Sequence, residues 1–366
     1  MDCKDTITHS LKKSWKVVGI MSGTSLDGLD VGVAYFTRDN NGMWSGKLEE
    51  ITCFNFHEAL MGRLRKSMQM TALELCELDR DWALFAAECV KVSITNLTTK
   101  PDLLSSHGHT VFHKPGEGFT TQIGSGAILA AEIGLPVVCD LRSSDVAYGG
   151  TGAPLIPLVD KLLFSEYDGC LNLGGFSNIS HLNSSTEVLA WDIGPCNNLL
   201  NQLSRIVGLE YDKDGLIASK GELNSDLLRD LSELSYHHQS APKSLGMEWV
   251  ESELSSVLNK YDSISVGDKL RTAVEYIAKL IVNDSPSGRV LVSGGGVWNA
   301  FLMERIRKLS VDKFTEFVIA EPDMANGKEA YGFAFLGLLR WLGENNVYQE
   351  VTGASKPSSG GAVWLP

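Results

Sequence analysis

Apolar positions along the chain follow two rhythms. WKVVGI (15–20), VGVAYF (31–36) and RVLVS (289–293) are short β-prone runs bounded by glycine or polar residues, which predicts strands. Elsewhere the spacing changes to three and four. Leu75, Leu78, Trp82, Phe85 and Cys89 mark a helical face within 71–98, with a stop expected before Pro101. Leu199, Leu200, Leu203, Ile206 and Val207 predict a helix over 197–208, and Leu270, Val274, Ile277 and Ile281 another over 268–282. DSPSG (284–288) reads as a turn ahead of RVLVS. Residues 328–342 (KEAYGFAFLGLLRWL) are apolar nearly all round, which predicts a helix buried between other elements. Strands alternating with helices place the chain in the α/β class.

Three glycine turns interrupt the pattern. GIMSGTSLDGLDVGVAYF (19–36) reads as strand, turn, strand, with Gly19, Gly23 and Gly28 among Thr24, Ser25, Asp27 and Asp30. GCLNLGGFSNISHL (169–182) is again strand, Gly-Gly turn, strand. RVLVSGGGVWNAFL (289–302) is strand, triple-glycine turn, helix. Such turns expose backbone N–H groups and hydroxyls, which suits phosphate. The first lacks the Lys-Ser/Thr ending of a Walker loop, and no G-x-G-x-x-G opens a helix there. Each turn alone reads first as an ordinary tight turn, since glycine turns are common. Three together favour two hairpins around phosphate and a third loop for the rest of a nucleotide.

Composition narrows the field. The length of 366 residues suggests about two domains. Hydrophobic residues make up 43% and charged residues 21%, as in a soluble globular chain rather than a disordered one. The net charge of −13, with no Lys/Arg stripe, argues against nucleic acid and anionic membranes as partners. An anionic ligand would need local donors and Mg²⁺ against that field. VVGIM, after Lys12, Lys13 and Lys16, is too short for a signal-peptide core, and no apolar run spans a bilayer. The first 16 residues read as a loose extension. The seven scattered cysteines, odd in number and without C-x-x-C spacing, read as reduced thiols in a cytoplasm.

Other stretches carry candidate chemistry. In WDIGPCNNLL (191–200), Asp192 ends a strand, and Gly194-Pro195 opens a helix with proline near its first position. Asp192 then faces the mouth of an α/β sheet, where ligands sit, or it merely caps that helix. SHGHTVFH (106–113) gathers His107, His109 and His113; on a strand the first two share a face. They could bind metal, hydrogen-bond a substrate, or simply pack. Arg142, in DLRSSDVAYGGTGAPLIP (140–157), could fork onto a carboxylate or pair with Asp140 or Asp145. Glu329 stands at the start of the apolar helix, where a dipole role is equally open. DKDG (212–215) opens like a calcium loop but lacks the rest of one.

Taken together, GIMSGTSLDGLDVGVA, SHGHTVFHKP, QIG (122–124), DLRSSDVAYGGTGAPLIP, LNLGGFSNIS, DIGPCN, YDKDG, APKSLG (241–246), VSGGGVWNAFLM, KEAYGFAFL and VTGASKP (351–357) resemble the anhydro-N-acetylmuramic acid kinase family. They run in order from about residue 17 to the C-terminus. The resemblance implies the two-domain actin-like, ribonuclease H-like fold: α/β, with mixed sheets flanked by helices and an active-site cleft between domains. It implies a first domain of 1–137 plus 340–366 and a second of 138–339. The phosphate loop would fall on Gly23, Thr24, Ser25, Leu26, Asp27, Gly28, Leu29 and Asp30, with Asp27 helping to place Mg²⁺ through water. Gly174, Gly175, Ser177 and Asn178 would form the second phosphate hairpin, and Gly294, Gly295 and Gly296 would lie against the adenosine of ATP. Asp192 would be the catalytic base, and His107, Thr110, Arg142 and Glu329 would meet the sugar. A small-molecule anhydro sugar is the implied partner, in a cytoplasmic enzyme of cell-wall recycling that forms a homodimer.

The chain departs from the family pattern near the presumed sugar pocket. D-T-G-P-G-N becomes D-I-G-P-C-N at Ile193 and Cys196, H-G-Q-T becomes H-G-H-T at His109, and D-F-R-R-R-D keeps only Arg142 ahead of Ser143 and Ser144. Three other readings follow: a kinase for another anhydro sugar such as levoglucosan, a nucleotide-binding sensor without turnover, and a purely structural domain. The last leaves the three glycine loops unaccounted for.

Overall fold

The hairpin predicted around the first glycine turn forms. β1 (Ser14–Ser22) runs antiparallel to β2 (Leu29–Arg38), with Gly19 opposite Gly32. The structure is a computed structural model and describes residues 12–23, 26, 28–182, 188–241 and 243–366. β3 (Trp44–Phe54) continues antiparallel to β2, while β4 (Leu103–Lys114) lies parallel to β1 on its other side. β5 (Phe119–Ile123) folds back antiparallel on β4, β6 (Val137–Cys139) is parallel to β4, and a strand at Ala362–Trp364 pairs with β6.

A second sheet repeats this plan. β7 (Gly169–Leu173), β8 (Phe176–His181) and β9 (Leu189–Pro195) form an antiparallel meander, and β10 (Gly288–Ser293) and β11 (Thr315–Ile319) add parallel strands beside β7. The strand orders are β6-β4-β1-β2-β3 and β11-β10-β7-β8-β9, the same topology twice. Parallel strands need crossovers, commonly helical. Ala72–Ile94 connects β3 to β4 and Gly126–Ile133 connects β5 to β6; Val266–Asp284 and Ala300–Leu309 serve the second sheet.

Local chemistry accounts for the long helices. Thr71 and Glu74 form a reciprocal capping box at the start of Ala72–Ile94. Its Leu78, Trp82 and Ala86 bury against Val18, Ile20, Val31 and Leu104. The apolar helix spans Pro322–Trp341, and every residue from 330 to 339 is buried. It lies on the opposite face of the first sheet, where Phe335 packs on Phe36 and Trp44 with ring centroids 5.1 and 5.2 Å apart. Gly19 belongs to this contact and not to the turn: a Cβ there would come within 2.0 Å of Ala330 O. In the second sheet's long helix, Glu275 accepts a two-pronged bond from Arg305, at 2.8 and 2.9 Å, which ties it to the next helix.

The chain divides into two compact units, residues 1–163 with 327–366, and residues 164–326. The expected divisions at 137/138 and 339/340 are therefore displaced. β6 already belongs to the first sheet, and the helix Ile156–Leu163 packs on Gly332 of the apolar helix, whose Cβ would meet Ile156 Cδ1 at 2.6 Å. Both segments are held by contacts distant in sequence, which composition does not reveal.

Candidate active site

In the first unit Gly23, Leu26 and Gly28 are the described residues between β1 and β2. Leu26 N–H donates to Gly23 O at 3.3 Å, and Leu26 holds φ +60°, a strained setting for a leucine. Gly28 has no room for a side chain, since a Cβ would lie 2.8 Å from Cys53 Sγ and Phe54 O. Thr24, Ser25 and Asp27 lie outside the described residues. Leu29 is buried and Asp30, opposite Met21, is half-buried. Beneath the turn, the buried Ser22 Oγ and His109 Nδ1 are 2.9 Å apart. Burial pulls the His109 pKa down to about 4, so this ring is neutral.

β4 is interrupted at Gly108 (φ +75°), and its pairing with β1 slips between Ile20 and Ser22. His107 and His109 consequently have separate partners. His107 is buried against Phe333, with centroids 4.5 Å apart. Its Nε2 accepts from Arg142 Nε at 3.0 Å and its Nδ1 donates to Gly108 O at 3.0 Å. Arginine can only donate and a carbonyl only accept, which defines a neutral ring protonated at Nδ1. Burial, then the Arg142 charge, holds the His107 pKa well below the usual histidine value. His107 is thus a positioning group for Arg142 rather than an acid.

Arg142 also donates Nη1 to Gly152 O at 3.0 Å. Burial pulls its pKa down to about 10, with Glu329 opposing the shift. It pairs with neither nearby aspartate: Asp140 accepts from Ser143 Oγ, and Asp145 accepts from Gly152 N–H and Thr352 Oγ1, each at 2.7 Å. Glu329 is exposed and lies two turns inside its helix, which begins at Pro322, so the dipole role is excluded. Thr110 is half-buried and accepts from Gln122 Nε2 at 3.3 Å. His113 Nδ1 meets Thr120 Oγ1 at 3.1 Å. Among the described residues no group of three or more His, Cys, Asp or Glu could hold a metal ion.

In the second unit, Leu173 pairs with Ser177 around the turn Gly174-Gly175-Phe176. The helix Asn197–Arg205 starts against this turn, with Asn197 N–H donating to Gly174 O at 3.1 Å and Asn198 N–H to Gly175 O at 3.0 Å. Ser177 is buried and its hydroxyl donates to Gly194 O at 3.2 Å; the half-buried Asn178 stands opposite Asp192. Gly294 (φ +88°) and Gly296 seat the third turn on the end of β7: their Cβ atoms would lie 2.5 Å from Asn172 Oδ1 and 2.7 Å from Leu173 Cβ. The second and third glycine turns are therefore neighbours. Gly295 opens the single 3₁₀ turn that precedes Ala300–Leu309.

Asp192 lies within β9, which continues to Pro195, so the proline is a strand residue and the helix is capped at Cys196. Asp192 is accordingly not a helix cap. The β8–β9 pairing skips one residue between Ser177 and Asn178, and the extra residue is Ile193. Such bulges re-aim adjacent side chains. Ile193 and Cys196 are themselves buried, and burial pushes the Cys196 thiol up to about 12. The Asp192 backbone is held on both sides: its N–H donates to Lys243 O at 3.1 Å, and Tyr236 Oη donates to its carbonyl at 2.6 Å. Leu245 N–H fixes Oδ2 at 2.9 Å. Burial raises the carboxyl pKa above the ordinary aspartate value, against the opposing Leu245 bond. Tyr236, Lys243 and Leu245 have no assigned role from sequence; only APKSLG (241–246) could have pointed to the last two.

Two copies of one meander-plus-parallel topology, each with a glycine turn on its first hairpin, define the actin-like, ribonuclease H-like class. The family model described as anhydro-N-acetylmuramic acid kinase matches residues 15–366. Relatives bearing that name include those of Haemophilus influenzae (33% identical, covering 95% of this chain and 97% of the relative) and Vibrio cholerae (33%, covering 95% and 98%). That of Paramagnetospirillum magneticum is 34% identical, covering 95% and 99%. The chain belongs to the anhydro-N-acetylmuramic acid kinase family.

Proposed function

We propose that this protein is an ATP-dependent kinase that opens 1,6-anhydro-N-acetylmuramic acid with water and phosphorylates O6. The products are N-acetylmuramic acid 6-phosphate and ADP, within cytoplasmic cell-wall recycling. The observation that carries the reading is Asp192: a half-buried carboxylate of raised pKa, gripped by main chain at a bulge on the sheet that bears the second and third glycine turns.

The chemistry follows from that carboxylate. One oxygen is held by Leu245 N–H, and the other takes a proton from water as the water attacks C1, the inverting arrangement. The C1–O6 bond breaks and O6 bonds to the γ-phosphorus, which releases ADP. The phosphoryl group thereby replaces the general acid that O6 would otherwise need. Gly23 to Asp30 and Gly174 to Asn178 hold the phosphates, and Gly294, Gly295 and Gly296 lie by the adenosine. Arg142, oriented by His107, holds the lactyl carboxylate, while Thr110 and Glu329 meet sugar hydroxyls. Mg²⁺ would neutralise phosphate charge. It needs no all-protein cage, only one or two carboxylates with phosphate oxygens and water, and Asp27 is the residue for it.

The test is ADP release from Mg-ATP with anhydro-N-acetylmuramic acid, levoglucosan or N-acetylmuramic acid. Turnover with the first sugar alone is expected. Turnover with levoglucosan alone would keep the kinase and replace the sugar; none at all would favour a nucleotide sensor. Asp192→Asn should lower the rate by about 10²–10⁴, and an unchanged rate would remove Asp192 from the chemistry.

A further inference from the structure

β1 and β4 run parallel and in register from Val17 beside Leu103 to Ile20 beside Ser106; the pairing then slips, and Ser22 stands beside His109. Two steps along β1 thus match three along β4. Gly108 absorbs the extra residue at φ +75°, with its N–H on Ser106 Oγ at 3.1 Å. A Cβ there would lie 2.5 Å from Ile123 O, so the slip requires glycine. We infer that His109 is a positioning residue for the nucleotide: through Ser22 it fixes where the first glycine turn leaves β1. The inference rests on the kinase reading proposed above, which gives that turn to the phosphates.

Ser22 has little else to hold it. The β1–β2 ladder ends at Met21 beside Asp30, one residue short of Ser22. Ser22 is 1% exposed and His109 3%, and the 2.9 Å contact of Oγ with Nδ1 is the one side-chain hydrogen bond either makes among the described residues. A neutral imidazole has one donor and one acceptor nitrogen, and a hydroxyl acts either way, so the bond forms in both tautomers. Both groups are out of water, and loss of one leaves the other unsatisfied. The turn beyond needs such an anchor. Leu26 holds φ +60°, a setting that persists only where the surroundings over-determine it. At the far end, Gly28 lies tight against Cys53 and Phe54. At the near end, the His109–Ser22 bond fixes the entry to Gly23. A phosphate held by backbone N–H groups is sensitive to small displacements of those groups. The slip at Gly108 also separates the two histidines. His107 bonds to Arg142, on the proposed sugar side, and His109 bonds to Ser22, on the phosphate side. One strand thereby serves both ligands through different residues, and loss of His109 should fall on the nucleotide.

Calorimetric titration of the full chain with Mg-ADP, and separately with 1,6-anhydro-N-acetylmuramic acid, tests this. His109→Leu and Ser22→Ala should each weaken Mg-ADP binding by about tenfold and leave the sugar within about twofold. The two substitutions together should lose no more than either alone, because they remove the same bond. His109→Asn places an amide atom where Nδ1 lies and should keep Mg-ADP affinity within about threefold. Unchanged Mg-ADP affinity in both single variants, an equal loss for nucleotide and sugar, additive losses in the double variant, or no Mg-ADP binding by the unaltered chain would overturn the inference. Ser22→Ala removes one buried atom and adds no bulk, so the test stays open if His109→Leu does not fold. ADP release from Mg-ATP on the same samples separates the two ideas. A nucleotide-specific loss in the variants, without turnover in the unaltered chain, would leave the positioning role and remove the kinase. Turnover with unchanged Mg-ADP affinity in the variants would do the reverse.

Discussion

His109 occupies a position where the family pattern has glutamine, and its surroundings decide what it can do. Buried beside Ser22, it remains neutral, with a pKa near 4 instead of the ordinary 6.5. The folded-state value lies below the unfolded one, so below pH 6.5 the unfolded chain binds the extra proton. Stability is therefore complete above about pH 6.5 and declines as pH falls toward 4. The shift corresponds to about 2 kcal/mol lost between pH 7 and 5. Urea unfolding should show His109→Gln losing less over that range than the unaltered chain; equal losses would mean that another group governs the slope. His107 shifts in the same direction, so some slope will remain. Asp192 shifts the other way, upward, and its protonation also falls on the acid side. With Asp192 as the proposed base, its raised pKa should move the acid limb of kcat/KM upward from the ordinary aspartate range, which a pH–rate profile checks. DIGPCN pointed to Asp192 as the candidate base, but its grip by Tyr236, Lys243 and Leu245 was not legible, because those contacts span 44 to 53 positions.

At the scale of elements, glycines that look alike in sequence do different work. Gly19 and Gly28 stand in one motif, yet the first seats the apolar helix and the second lies tight against Cys53 and Phe54. Gly19→Ala should cost about 1–3 kcal/mol or more through overpacking against Ala330. Gly62 sits inside the helix Glu58–Arg65 with nothing within 4 Å of its Cβ position. Gly62→Ala should therefore stabilise by about 0.5–1 kcal/mol. Thermal melts of the two variants should move in opposite directions; a shared direction would mean that the packing at Gly19 is looser than described. The hairpins and long helices were readable from period alone. The continuation of β9 to Pro195 and the helix start at Pro322 were not: one depends on a bulge set by the partner strand, the other on residues without a helical apolar stripe.

For the whole molecule, residues 164–326 form one continuous unit, whereas the first unit needs residues 327–366 to return to it. Expressed alone, 164–326 should melt cooperatively with a native near-ultraviolet spectrum. Residues 1–163 alone should not, because Phe36 and Trp44 lose Phe335 and the Gly19–Gly32 face loses its helix. Cooperative folding of 1–163 would show that the apolar helix is dispensable. By itself the sequence determined the α/β class, the three glycine turns, the family and the candidate base, since each is written in local period or in a contiguous motif. The tertiary structure alone decided the duplicated strand order, the unit boundaries, the neutral His107 that aims Arg142, and the main-chain grip on Asp192. Those depend on strand pairing and burial between residues far apart in the chain, where local propensity carries no information.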